Sequence, residues 1–210
     1  MKEPHGRRGQ RGFTLIELLA AMVILAVLMT FAAPPLLNIL RHGKLRGIAN
    51  ETVVLMRLAR LQAIKHSCPT IVRVVPAAGE EPARVEGIVD CAAPFGVQDA
   101  DRSPLGSFPL PAQVRLLAPP DLTDEDSVTG FSPDPSDPAA PSVAIFDGDG
   151  SVRATGGFHF GDAAGNFLEV WVAPAATARI EVHKCVLCTN ANNRADWYAN
   201  GDGGEGWQWK

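Results

Sequence analysis

One apolar run constrains this chain more than any other feature of its sequence. Residues 13–33 contain a single charged side chain, Glu17, among leucine, isoleucine, valine, alanine, methionine, threonine and phenylalanine. Because an α-helix rises about 1.5 Å per residue, a helix over this run would match the roughly 30 Å hydrocarbon core of a bilayer. The run therefore predicts one membrane-spanning helix, with a short segment before it and a larger domain after it.

Basic residues on both sides of the run bear on its orientation. Lys2, Arg7, Arg8 and Arg11 precede it and favour a cytoplasmic N-terminus, whereas Arg41, Lys44 and Arg46 follow it. Since large domains are translocated largely regardless of charge, we expect the N-terminus inside and the domain outside. The run is longer than the apolar region of a cleaved secretory signal. Its one candidate cleavage site with small residues is followed by two prolines, so a helix that is retained in the mature protein is favoured.

Glu17 is the one residue of the run that needs a reason. A charged side chain near the centre of a membrane helix costs about 2.5–3.5 kcal/mol on insertion scales. One interpretation places Glu17 near the helix end, with its carboxylate reaching the headgroups. The other pairs it with a cation after the helix packs against a partner, and charged residues inside a membrane favour this functional interpretation.

Residues 11–18, with the sequence RGFTLIEL, resemble the cleavage and assembly signature of type IV pilins and type II secretion pseudopilins. The resemblance implies that residues 1–12 are a leader and that a prepilin peptidase cuts after Gly12 and methylates Phe13. It also implies that Glu17 pairs with the N-terminal amine of a neighbouring subunit. The implied partners are that peptidase, the other pilins or pseudopilins, and an inner-membrane assembly platform.

The following segment, residues 34–66, is predicted to be the amphipathic half of the same helix. Pro34 and Pro35 remove a backbone hydrogen bond and clash with the preceding turn, so we expect a kink there. Beyond them, apolar or small residues recur at helical spacing and predict a stripe that packs on the domain. These positions are Leu45, Ile48, Thr52, Leu55, Met56, Ala59 and Ala63.

Short strands and turns replace the helical pattern after residue 66. Strands are predicted at residues 69–75, 84–89, 114–117, 142–146, 167–172 and 178–182. The turn at residues 147–150 is predicted to join two strands, and residues 119–141, rich in proline and aspartate, a long surface loop. The sequence thus predicts an α+β fold, a long helix packed on an antiparallel β-sheet domain at residues 67–189, with a tail at 190–210.

Residues 58–64, with the sequence LARLQAI, resemble a phrase at the end of this helix in the GspH/FimT group of minor pseudopilins. The resemblance implies a minor pseudopilin of a type II secretion system. The alternative is a FimT-like minor pilin of a type IV pilus, with DNA uptake as a further role. FimT-like proteins bind DNA through a Gly-Arg-x-Arg motif, but residues 178–181 read Ala-Arg-Ile-Glu, which argues against nucleic acid as a partner.

The remaining candidate residues favour structural roles. Cys68, Cys91, Cys185 and Cys188 are candidates for two disulfides in an oxidising periplasm, with their connectivity open. A zinc site at Cys185 and Cys188 would need a second closely spaced pair of ligands, and a redox site would need the pair to open a helix after a strand. The sequence shows neither pattern. No catalytic partner is evident for His159, so the sequence predicts no enzyme, cofactor or metal. The tail holds three of the four tryptophans; we expect it to pack on its own domain, the alternative being contact with another protein.

Overall fold

A computed structural model describes residues 13–91, 102–116, 128–135, 140–185 and 197–199 of the chain. Within these ranges the backbone alone is described for residues 31–39, 41, 102, 198 and 199. The chain divides into two compact units, Met1–Leu40 and Arg41–Lys210. One helix, α1, runs from Leu15 to His66 and contributes to both units.

In the first unit, α1 is exposed at every side chain described from Leu15 to Thr30. The exposed residues are large and apolar on all sides of the helix, for example Ile16 at 76%, Val23 at 64% and Leu28 at 59%. A helix that is apolar all round is stable only where other apolar groups cover it. The helical backbone continues through residues 34 and 35, and the kink expected at Pro34 and Pro35 stays a prediction.

In the second unit, one face of α1 is buried in the domain. All seven positions of the stripe predicted from the sequence are at most 6% exposed, from Leu45 through Met56 to Ala63. Thr52 fits this face because its hydroxyl donates a 2.8 Å hydrogen bond to the carbonyl of Ile48, one turn earlier. The buried positions repeat at the period of the helix over residues 45–63.

Two antiparallel sheets follow the helix. The first has the strand order β3-β2-β1-β6, and the second has the order β10-β9-β8-β7-β4, with β5 also paired to β7. The first sheet consists of β1 (Thr70–Val75), β2 (Arg84–Asp90), β3 (Arg102–Pro109) and β6 (Ala144–Phe146). The second consists of β4 (Val114–Leu116), β5 (Val128–Thr129), β7 (Gly156–Asp162), β8 (Phe167–Val172), β9 (Ile180–Cys185) and β10 (Trp197–Ala199).

The predicted α+β class with antiparallel strands is confirmed, but the strands form two sheets, and several of them were missed. β3 contains two prolines, a glycine and two serines, and β7 contains three glycines, so neither has the composition typical of a strand. Both owe their conformation to long-range pairing, β3 with β2 and β7 with β8. β10 lies within the segment that the sequence assigns to the tail.

The prediction that residues 119–141 form a surface loop is wrong for part of the described segment, because some of its side chains are buried. Phe131 is buried, with its ring centroid 5.0 Å from that of Phe158. Asp134 is buried too and accepts a 3.2 Å hydrogen bond from Arg73. Burial opposes the positive charge of Arg73, but the ion pairs with Glu86 and Asp134 outweigh it and raise its pKa. An apolar anchor and an ion pair hold this segment against the domain.

The core joins α1 to the inner faces of both sheets. It includes Leu45, Met56 and Ala59 from the helix, Val72 and Phe146 from the first sheet, and Phe158, Phe160, Leu168 and Val170 from the second. In β7, the two phenylalanines point into this core while His159, between them, points to the opposite face, as strand alternation requires. The helix and the two sheets therefore share one apolar interior.

Replacing Gly156 by alanine should destabilise the domain. A Cβ there would collide with the carbonyl oxygen of Thr129 and lie 2.6 Å from the amide nitrogen of Phe131. Overpacking of this kind costs about 1–3 kcal/mol or more. Thermal unfolding of the full chain in detergent micelles measures the loss. Gly43→Ala is the matched control: among the described residues, no atom outside its own turn of the helix lies within 4 Å of a Cβ at this position, so the better helix former should leave stability unchanged or raise it by up to about 1 kcal/mol.

Candidate assembly site at the start of α1

Thr14 and Glu17 form a reciprocal cap at the N-terminus of α1. The Glu17 carboxylate accepts hydrogen bonds from the backbone N–H and the hydroxyl of Thr14, each at 3.2 Å. The backbone N–H of Glu17 donates to the Thr14 hydroxyl at 3.3 Å. This is a capping box, in which side chains three residues apart satisfy backbone donors that a helix start leaves unpaired. The positive end of the helix dipole also favours a carboxylate in the first turn.

The cap places the Glu17 carboxylate beside the residues that precede the helix. Phe13 is 86% exposed and adjoins Thr14, whose N–H contacts the carboxylate. Gly12 and the rest of the predicted leader lie outside the described residues. If cleavage made Phe13 the first residue, its amine would be one residue before the Thr14 N–H, which already donates to the Glu17 carboxylate. The local geometry thus suits the attraction of a cation to this carboxylate.

The apolar surface of α1 surrounds this cap. Glu17 stands between exposed leucine and isoleucine side chains, of which Leu15, Ile16 and Leu18 are 77%, 76% and 54% exposed. A search of the described residues finds no helix with both the length and the apolar character needed to cross a membrane. The span predicted at residues 13–33 includes residues 31–33, whose side chains are not described. The membrane span therefore stays a prediction.

Comparison with known protein families matches this end of the chain. Residues 7–33 carry the prokaryotic N-terminal methylation motif. The motif is the signal of type IV pilin-like proteins, which include pilins and pseudopilins, and it implies processing by a prepilin peptidase and assembly with other pilins. It covers Gly12, Phe13 and Glu17. No curated protein and no solved structure matches the chain.

Disulfides are present among the cysteines singled out in the sequence. Cys68, just after α1, bonds to Cys91, just after β2, with Cα atoms 5.1 Å apart. Cys185, at the end of β9, is also disulfide-bonded, and Cys188 lies outside the described residues. The first disulfide joins the start of β1 to the end of β2, two strands already paired through Thr70 and Val89.

The turn at residues 147–150 agrees with the prediction from its glycines and aspartates. The Gly150 N–H donates to the Asp147 carbonyl at 2.8 Å, and Gly150 has a φ of 82°. Asp147 pairs with Arg153 at 2.6 Å. Hydrogen bonds from the hydroxyl and the backbone N–H of Ser151 lower the pKa of Asp149. Both carboxylates therefore take part in the structure of the turn.

A buried row of polar side chains was missed in the sequence. His159, Glu169 and His183 lie side by side on three neighbouring strands, β7, β8 and β9. The Glu169 carboxylate is 3.0 Å from Nε2 of His159 and 3.5 Å from Nδ1 of His183. Trp197 of β10 stacks on the ring of His159 at 5.2 Å. Strand alternation predicts which face His159 occupies, but only the pairing of the strands shows its partners.

A cluster of arginines was missed as well. Arg57 and Arg60, one turn apart on α1, line a groove together with Arg179, which lies more than a hundred residues later, immediately before β9. The spacing of Arg57 and Arg60 indicates a shared helix face, but the approach of Arg179 depends on the fold.

Proposed function

We propose that this chain is a minor pseudopilin of a type II secretion system, a non-enzymatic subunit of a short periplasmic filament that drives protein export. The observation that carries the proposal is the methylation motif at residues 7–33, joined to the cap that holds Glu17 at the start of an exposed apolar helix. The helix would assemble the subunit into the filament, and the domain would present a surface to its partners.

Membrane insertion of α1 is part of this proposal. Exposed apolar surface costs free energy at about 25 cal/mol per Å² in water, so a helix uncovered on every side needs lipid or other helices around it. Before assembly, the inner membrane would supply that cover as the single span of the chain. During assembly, neighbouring helices would replace the lipid. Exposure of the described side chains from Leu15 to Thr30 supports this role.

A periplasmic location of the domain is supported by its disulfides. The Cys68–Cys91 bond and the disulfide at Cys185 are typical of proteins that fold in an oxidising compartment. The basic residues Lys2, Arg7, Arg8 and Arg11 before the proposed span also favour an N-terminus in the cytoplasm. The proposed topology is thus a single-pass inner-membrane protein with its larger part outside the cytoplasm.

Cleavage by a prepilin peptidase is the first test. Co-expression with the peptidase should yield a chain that begins at N-methyl-Phe13, because Gly12 precedes it as the last residue of the proposed leader. Intact mass spectrometry of the purified protein measures both the new terminus and the methyl group. Gly12→Val is the matched control and should remain uncut, because its branched side chain alters the residue beside the cleaved bond. A retained Met1, or a terminus at residue 34 or beyond, would contradict the assignment.

A minor pilin of a type IV pilus is the rival assignment. It requires the same cleavage and the same helix, so peptidase processing does not separate the two. Deleting the gene and restoring it on a plasmid would do so. For a pseudopilin, the deletion should abolish export of folded periplasmic proteins and leave surface pili unchanged. Loss of pili or of DNA uptake with normal export would assign the chain to a pilus.

A further inference from the structure

An amphipathic groove lies between the end of α1 and the start of β9. Its volume is about 570 Å³, and its lining includes Arg57, Arg60, Leu61 and Ile64 from the helix, Ile180 from the strand and Arg179 immediately before it. Leu61 and Ile64 are 63% and 45% exposed. Three guanidinium groups therefore border an apolar surface that no described residue covers.

The arginines of this groove differ in what they already bind. Arg60 donates a 2.8 Å hydrogen bond to the carbonyl of Gly150, which fixes its position. Arg179 pairs with Glu181 while its side chain stays 70% exposed. Arg57 is exposed and has no hydrogen bond or ion pair with any other described residue. The groove therefore offers cationic side chains beside apolar ones, which suits an acidic segment that also carries aromatic rings.

The chain itself leads towards this groove. Strand β10 runs antiparallel to β9, with Trp197 opposite Cys185 and Ala199 opposite His183. The end of β10 therefore points towards Ile180, the first residue of β9, which lies three residues before His183, or about 10 Å at the rise of a strand. Ile180 lines the groove. The eleven residues 200–210 that follow are long enough to reach it, since an extended chain covers about 3.3 Å per residue.

The composition of residues 200–210 complements the groove. They contain two carboxylates, Asp202 and Glu205, and two tryptophans, Trp207 and Trp209, with Lys210 as the single cation. Arginine binds carboxylates through paired hydrogen bonds and stacks on tryptophan rings. Leu61, Ile64 and Ile180 would cover the apolar faces of those rings. Both the charge and the apolar character of the segment fit its proposed site.

We propose that residues 200–210 of the chain bind in this groove of the same molecule, with Asp202 or Glu205 near Arg57 and Arg179 and with a tryptophan against Leu61 and Ile64. The docked segment would cover the apolar face at the end of α1. Nucleic acid is the competing ligand for three arginines. It is disfavoured because Glu181 adjoins the cluster and because the apolar lining offers nothing to a phosphate backbone.

Photo-crosslinking of the full chain in detergent micelles tests the proposal. Leu61 is replaced by p-benzoylphenylalanine, the purified protein is irradiated, and the cross-linked products are mapped by peptide mass spectrometry. We expect a cross-link within one molecule to a peptide from residues 200–210. Its yield should fall about fivefold or more in Arg57→Gln/Arg179→Gln and in Asp202→Asn/Glu205→Gln, the change expected when exposed ion pairs are lost.

Matched controls separate docking from general damage to the fold. Arg84→Gln removes a surface arginine of the other sheet, and Gln208→Ala changes an uncharged tail residue, so both should keep the wild-type yield. Cross-links to any other segment, or to a second copy of the chain, would overturn the proposal. So would a yield that does not depend on the arginines, or loss of the cross-link when an equimolar DNA duplex is added, since the groove would then prefer nucleic acid.

Discussion

Replacing Glu17 by glutamine should leave cleavage intact and sharply reduce incorporation of the chain into filaments. The Glu17 carboxylate accepts both hydrogen bonds of the cap from Thr14, and a glutamine amide oxygen can accept the same bonds, so the helix start should persist. What glutamine lacks is the negative charge that would pair with the amine of Phe13 on a neighbouring subunit. Removing one partner of a buried pair costs about 3–5 kcal/mol, which corresponds to a loss in association of about a hundredfold or more.

Two further variants separate the charge from the cap. Thr14→Val removes the capping hydroxyl and keeps the carboxylate, so its cost should be near the 1 kcal/mol typical of a lost N-cap. Glu51→Gln removes an exposed carboxylate from the part of the same helix that belongs to the second unit of the chain. This variant should assemble normally. Site-specific cross-linking to neighbouring subunits, scored beside the yield of N-methylated chain, measures both steps.

The position of the subunit in the filament affects how this result is scored. A subunit at the tip has no subunit ahead of it and would lose one pairing fewer, so contacts with the subunit behind it must be counted as well. If Glu17→Gln cross-links to its neighbours as efficiently as the wild type, the carboxylate has no part in assembly and serves only as the helix cap.

Loss of the Cys68–Cys91 disulfide should cause the largest fall in the stability of the domain. The bond closes a loop with a sequence separation of 23 residues. Restricting the unfolded chain by a loop of this size stabilises the folded state by about 3 kcal/mol. Because β1 and β2 are already paired next to the bond, the folded strands should keep their places without it. The double variant Cys68→Ser/Cys91→Ser should therefore fold and melt on the order of 10 °C lower.

Reduction provides the control for that variant. A reductant should lower the melting temperature of the wild type by at least as much as the double substitution, because it also opens the disulfide at Cys185. In the double variant it should act only through that remaining bond. Thermal unfolding in detergent micelles, with and without the reductant, gives all four values. A double variant that melts with the wild type would show that the loop between the cysteines is already ordered in the unfolded chain.

Local patterns in the sequence were sufficient for the features that depend on near neighbours. The buried stripe of α1 repeats at the period of the helix, so Leu45 and Met56 were predicted from their spacing. The capping box also needs only Thr14 and Glu17, three positions apart, but it was not predicted. The matched motif at residues 7–33 is likewise one continuous segment. Here the chain encodes its structure within a few residues, and no distant contact changes the outcome.

Features that depend on the pairing of distant strands were not predictable in this way. β7 is rich in glycine and is a strand because β8 and β4 pair with it. The contact between His159 and Glu169 follows from that register, and the approach of Arg179 to Arg57 follows from the path of β9 over the end of α1. A shift of one residue in any of these strands would turn the same side chains to the opposite face.

The place where α1 enters the first sheet has a mechanical consequence. If α1 anchors the chain, a pulling force on the filament reaches the domain through the buried face of α1 and, along the backbone, through Ser67 and Cys68. The backbone carries its part of the force to β1, which is hydrogen-bonded to β2 on one side and to β6 on the other. The disulfide to Cys91 transfers part of the load directly to the end of β2, which lies beside the start of β1. Extension of the domain would therefore require loss of the helix packing and the shearing of several strand pairings, and reduction of the disulfide should lower the force that the domain withstands.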